Sequence, residues 1–171
     1  MLNGVVQAGT GVGQTVKMPP RIVESIEELQ SLEGQELGVS DWFEVTQERI
    51  DQFADLTHDR QWIHVDPERA ARESPYKATV AHGFFSLSLI SMLSKQVMVL
   101  RGDFQRLINY GLNKVRFPAP VLAGARIRGR FTLESVREFT GGIQIVWRVA
   151  IESEGGVKPC VMAEWVTRAY R

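Results

Sequence analysis

The stretch Thr57-His58-Asp59-Arg60-Gln61-Trp62-Ile63-His64-Val65-Asp66 sets two histidines and two aspartates in ten positions, with no glycine among them. A carboxylate and an imidazole held this near each other can share a proton-transfer task. Imidazole, with an unperturbed pKa of about 6.5, accepts protons near neutrality, and a carboxylate can orient water beside it. Two blander readings stand next to that one. A loop histidine and aspartate are more often a hydrogen-bonded structural pair than a catalytic one. On ligand type alone, Asp55, His58, Asp59, His64 and Asp66 could also surround a metal ion. No metal is expected, because the stretch lacks a one-face i, i+4 histidine pair or a fixed ligand loop.

The elements that must position these residues follow from pattern. Ser25 with Glu28 three residues on is a capping arrangement, and Gly34 supplies the stop of a short helix. Residues 41–45 make a brief strand. Thr46 then caps a helix in which Ile50, Phe53 and Ala54 recur at helical spacing, and the His/Asp stretch begins where that pattern ends. Asp66 before Pro67 opens another short helix that Ser74-Pro75 closes, so Asp66 has an adequate task as a cap. His58 falls at a helix end, exposed, where a cation suits the dipole. Trp62 is read as packing.

From His82 to about Val99 the chain is apolar nearly all round, with serines at 86, 88, 91 and 94; such a helix must be enclosed by protein. Ser86 and Ser88 read as small residues that let strands approach. Beyond Arg101 the period changes to two. Residues 108–117, 125–139, 142–154 and 158–170 alternate and are separated by turn residues, with Ile127, Phe131 and Leu133 on one face and Ile143, Ile145, Trp147, Val149 and Ile151 on another. These are antiparallel strands with one covered face, and the long apolar helix is the available cover. The expected fold is α+β: an antiparallel sheet wrapped around a central helix, the hot-dog arrangement.

The chain has 171 residues, 20 basic and 20 acidic side chains and 44% hydrophobic composition, enough for one well-filled soluble domain. Residues 1–20, broken by four glycines, read as a flexible lead-in, and 21–171 as a single domain. Gly9, Gly11 and Gly13 faintly resemble a nucleotide loop but lack its strand and helix context. A formal charge of zero argues against nucleic acid or an anionic membrane as partner. No run approaches the roughly 18 apolar residues of a membrane span. Cys160 alone offers no disulfide framework, which fits a reducing cytoplasm.

Residues 55–90 resemble the MaoC-like dehydratases, a group of hot-dog proteins that includes the (R)-specific enoyl-CoA hydratases and a nodulation-protein-N branch. The matching positions are Asp59, His64, Asp66, Val80, His82 and Gly83. Two positions depart from the common motif: His58-Asp59 stands for Gly-Asp, and Gln61-Trp62 for Asn-Pro, the latter a variant associated with the nodulation-protein-N branch. The resemblance implies a hydro-lyase that reversibly hydrates trans-2-enoyl-CoA to (R)-3-hydroxyacyl-CoA, with Asp59 and His64 as catalytic pair and no cofactor beyond the CoA thioester substrate.

Hydration needs a water aimed at Cβ, an acceptor for its proton, a proton for Cα and donors for the enolate oxygen. The start of a buried helix has free N–H groups, and Gly83, lacking a Cβ, admits a ligand to its backbone; its N–H is assigned to the oxyanion hole. His82 either orders that loop as a supporting residue or is a satisfied core histidine. An acyl-CoA thioesterase and a non-catalytic acyl-binding module are the alternatives. Open sheet edges lead us to expect a homodimer.

Overall fold

Alternating β-branched and polar residues in the second half need partners for both their apolar face and their backbone, and an antiparallel sheet supplies both. In the computed structural model, which describes residues 19–102 and 104–171, chain order runs β1 (Arg21–Val23), α1 (Ile26–Ser31), β2 (Glu36–Val39), β3 (Phe43–Glu44), α2 (Gln47–Thr57), α3 (Trp62–Val65), α4 (Pro67–Glu73), α5 (Gly83–Ser88), α6 (Ile90–Ser94), β4 (Met98–Leu100), β5 (Arg106–Arg116), β6 (Arg126–Phe139), β7 (Gly142–Ser153) and β8 (Val161–Tyr170). Nearly all of the lead-in read at residues 1–20 lies outside the described residues, as do its glycines.

The main sheet has the order β2-β6-β7-β8-β5, with β3 also on β6, and every pairing is antiparallel. Its inner face holds Ile127, Phe131 and Leu133 of β6 and Ile143, Ile145, Trp147, Val149 and Ile151 of β7, all buried. A register shift between Leu133 and Ser135 moves the inward position on to Val136. Burying each large side chain of this set stabilises the fold by about 1.5–3 kcal/mol. Gly129 brings the helix layer close, since a Cβ there would stand 3.3 Å from Leu93 Cβ.

The helix expected from His82 to Val99 is shorter and segmented. α5 and α6 are separated at Leu89, and residues 98–100 are a strand paired in parallel with β1. The serines explain both ends. Ser88 Oγ donates to Phe85 O at 2.7 Å, the carbonyl that Leu89 N–H would otherwise take, and Ser94 Oγ donates to Ser91 O at 3.0 Å, the natural acceptor for Lys95. The helix is not enclosed on every side either. Phe85, Ile90 and Leu93 face the sheet, while Phe84 is 70% exposed. An uncovered apolar strip continues onto the edge strand β5 through Leu107, Tyr110 and Leu112.

On the outer face, Arg126 pairs with Glu154, and Arg128 and Arg130 both pair with Glu152; Arg130 also reaches Glu36. Arg130 and Arg128 hold the Glu152 carboxyl below the usual carboxylate range, against the effect of its partial burial. Cys160 is buried, its Sγ 3.6 Å from Pro120 O. Burial pushes its thiol pKa up. No described helix is long and apolar enough to cross a membrane.

Candidate active site

Helix α2 starts where Thr46 Oγ1 accepts from Arg49 N–H and buries Ile50 and Ala54. It stops at His58, whose φ of 58° lies in the left-handed region and turns the chain sharply. As expected, His58 is exposed at the helix end. The turn leads into Asp59 and then into the single helical turn α3, which carries His64. That turn was expected to be loop; it forms because Gln47 Nε2, at the start of α2, donates to His64 O at 2.7 Å, and Asp66 N–H closes the turn onto Trp62 O at 3.0 Å. Asp66 Oδ1 then accepts from Arg69 N–H at 2.9 Å, the cap that was foreseen. Trp62 packs under the Arg69 guanidinium at 4.5 Å.

Opposite α3, the segment before α5 runs back past it. Val80 N–H donates to Ile63 O at 3.0 Å, and His64 Nδ1 donates to Val80 O at 2.6 Å. A carbonyl only accepts, so this bond fixes the proton on Nδ1 and leaves Nε2 with a free lone pair. Burial lowers the His64 pKa, opposed by the bond to Val80; His82 lowers it further and Asp59 raises it. The ring is therefore neutral near pH 7, a base with its lone pair presented.

His82 lies against it, with ring centroids 3.7 Å apart and planes 26° from parallel. Its Nε2 donates to the backbone carbonyl of Asp59 at 2.8 Å, and Phe53 packs on it at 5.1 Å. Its Nδ1 is buried without a partner. The Asp59 carboxylate is exposed, and its oxygen lies within 4.8 Å of nitrogens of both histidines. The sequence-derived residues Asp59, His64 and His82 thus come together, while Asp55 turns away to pair with Arg60. The Asp59, His64 and His82 side chains, each with a ligand atom within 4.8 Å of the others, are also a set that could hold a metal ion.

Gly83 opens α5 directly after His82. Its missing Cβ has a structural reason: a Cβ there would meet the Phe117 ring at 3.1 Å, and Phe117 in turn packs edge-on against Phe84. From Phe84 an apolar groove of about 210 Å³ runs between the helix and β5 and β8, lined by Leu87, Ser88, Leu112 and Trp165. It shares Ser91, Asn109 and Trp165 with a larger cavity of about 430 Å³ beneath the helix. The roles of Gln47, the Val80 carbonyl and Phe117 could not be read from residue type, since the Gln47 amide acts on a backbone carbonyl seventeen positions away, Val80 acts through its own carbonyl, and Phe117 acts through packing across the fold.

An antiparallel sheet packed on a half-buried, segmented helix, with a carboxylate and two imidazoles at the helix opening, makes this a hot-dog protein. The sequence matches the MaoC-like domain model over residues 28–154, and the chain belongs to that family. It is 46% identical over 149 residues to 3-hydroxyacyl-thioester dehydratase Z of Mycobacterium tuberculosis, covering 86% of this chain and 97% of the relative. It is also 46% identical over 145 residues to nodulation protein N of Rhizobium leguminosarum bv. viciae, covering 84% and 89%. Among solved structures, unliganded R-hydratase PhaJ1 of Pseudomonas aeruginosa superposes with a TM-score of 0.62 at 25% identity, covering 81% of this chain and 82% of that one. Family and relatives support a hydratase or dehydratase activity.

Proposed function

We propose that the protein reversibly hydrates trans-2-enoyl-CoA to (R)-3-hydroxyacyl-CoA. The observation that carries this reading is the fixed tautomer of His64, a neutral imidazole with Nε2 unprotonated and a ring nitrogen within 4.8 Å of an Asp59 carboxylate oxygen. His64 Nε2 takes one proton from a water whose other hydrogen is held by Asp59. The water oxygen bonds to Cβ, the π electrons move through Cα to the thioester oxygen, and the Gly83 N–H holds the resulting oxyanion. The imidazolium then returns its proton to Cα. Every atom comes from water and substrate, so the reading takes no cofactor. His82 acts through Asp59 and His64, fixing the loop with its Nε2–H and the ring by stacking.

The acyl chain follows the groove from Phe84 toward the cavity beneath α6. The exposed strip of Phe84, Tyr110 and Leu112, on a helix face and an edge strand, supports a homodimer in which a second copy covers it. The test is loss of the conjugated enoyl absorbance of crotonyl-CoA and longer enoyl-CoAs. Activity unchanged in both Asp59→Asn and His64→Ala would refute the mechanism, and release of free thiol instead of hydration would favour a thioesterase.

A further inference from the structure

The cavity beneath the helix is not uniformly apolar. Asn109 of β5 and Thr167 of β8 are direct partners across the two strands, and both line it. Each accepts a hydrogen bond from an indole: Trp165 Nε1 to Asn109 Oδ1 at 2.7 Å, and Trp147 Nε1 to Thr167 Oγ1 at 3.0 Å. Indole N–H only donates, so these bonds settle the remaining polarity. The Asn109 amide must present its NH2 elsewhere, and the Thr167 hydroxyl keeps its proton to donate. Neither donates a hydrogen bond to a described residue, although Thr167 is only 2% exposed. The exposed Asn109 amide can be met by water, but a plain hydrocarbon chain in this cavity would leave the buried Thr167 hydroxyl without an acceptor and away from water.

We propose that the preferred substrates carry an oxygen acceptor, a hydroxyl or oxo group, on the distal part of the acyl chain, received by the Thr167 hydroxyl and the Asn109 amide. This rests on the reading of the site as an acyl-thioester hydratase and adds the class of acyl group. The two tryptophans hold the receiving groups in place, so the acceptor is met by donors already oriented. From Gly83 to Ser91, which lines the cavity, the helical path covers about 12 Å. The acceptor therefore belongs well down the chain, beyond the reacting carbons.

The test uses matched saturated acyl-CoAs of medium length, plain, distally hydroxylated or distally oxo-substituted. Binding is read by the fluorescence of Trp147 and Trp165, and turnover by the corresponding enoyl-CoAs. Wild type is expected to bind one or both oxygenated chains about fivefold more tightly per hydrogen bond gained; the hydroxyl and oxo arms show which acceptor is taken. Thr167→Val and Asn109→Leu should each remove about that factor while binding the plain chain at least as well, and Thr167→Ser should keep the preference. Equal or tighter binding of the plain chain by wild type, or a preference that survives both Thr167→Val and Asn109→Leu, overturns the proposal. Hydration of plain enoyl-CoA with no preference overturns this inference alone; a preference without any hydration overturns the proposed reaction alone.

Discussion

The imidazoles of His64 and His82 are stacked with centroids 3.7 Å apart, and each gives one ring nitrogen to a backbone carbonyl of the other's neighbourhood, Val80 for His64 and Asp59 for His82. The two rings therefore set each other's place and proton position. A charge on one is unwelcome beside the other, which agrees with the lowering of the His64 pKa by His82.

The pH dependence follows with a definite sign. Burial lowers the pKa of His64 in the folded protein, so the unfolded chain takes up the proton first as pH falls. Its contribution to stability is full above the unfolded value of about 6.5 and declines below it, down to the folded pKa. The acid limb of kcat/KM for enoyl-CoA hydration should likewise lie below the ordinary histidine range. A limb at or above about 6.5 would contradict this.

Removing either member of the pair should cost about 10²- to 10⁴-fold in kcat, measured by enoyl-CoA hydration. The Asp59 side chain is exposed, so Asp59→Asn should melt with wild type while losing that activity. His64→Ala also leaves a buried gap and should melt lower.

His82→Phe retains a ring against His64 but loses the donor to the Asp59 carbonyl. Expected are a kcat lower by about tenfold and an acid limb moved up toward the ordinary range, because one of the influences lowering the His64 pKa is gone. A structural role alone would not move the limb.

Gly83→Ala brings a methyl to 3.1 Å from the Phe117 ring. Crowding of this kind costs about 1–3 kcal/mol, seen as a drop in Tm of roughly 2–4 °C per kcal/mol. Adding Phe117→Leu should recover most of it. A Tm loss unaffected by the second change would show that the glycine serves another need.

Leu112→Lys places a charge in the exposed strip of β5. Sedimentation should show wild type as a dimer and the variant shifted toward monomer at micromolar concentration. An unchanged dimer would move the interface elsewhere.

The sheet was legible in the sequence because two-residue alternation acts locally: Ile143 through Ile151 face the core in register with what the pattern implies. Asp59, His64 and His82 were legible as residue types, and the turn at Asp66-Pro67 as a cap. The limits of the central helix were not, because Ser88 and Ser94 take carbonyls from their own helix, and a serine has the same sequence signal whether its hydroxyl bonds the backbone or solvent. The pairing of β1 with β4 joins residues more than seventy positions apart, and three-residue strands leave no period to count. The bond that fixes the His64 tautomer ends on the Val80 carbonyl, a group that every residue type carries.

The buried position of Cys160 has a practical reach. It is the sole cysteine of the chain, sealed in the core with its ionisation suppressed, so the folded protein adds no sulfhydryl of its own to a colorimetric thiol assay. Any colour that develops with an acyl-CoA then reports liberated coenzyme A, and hydrolysis can be told from hydration in one cuvette without blocking the enzyme first.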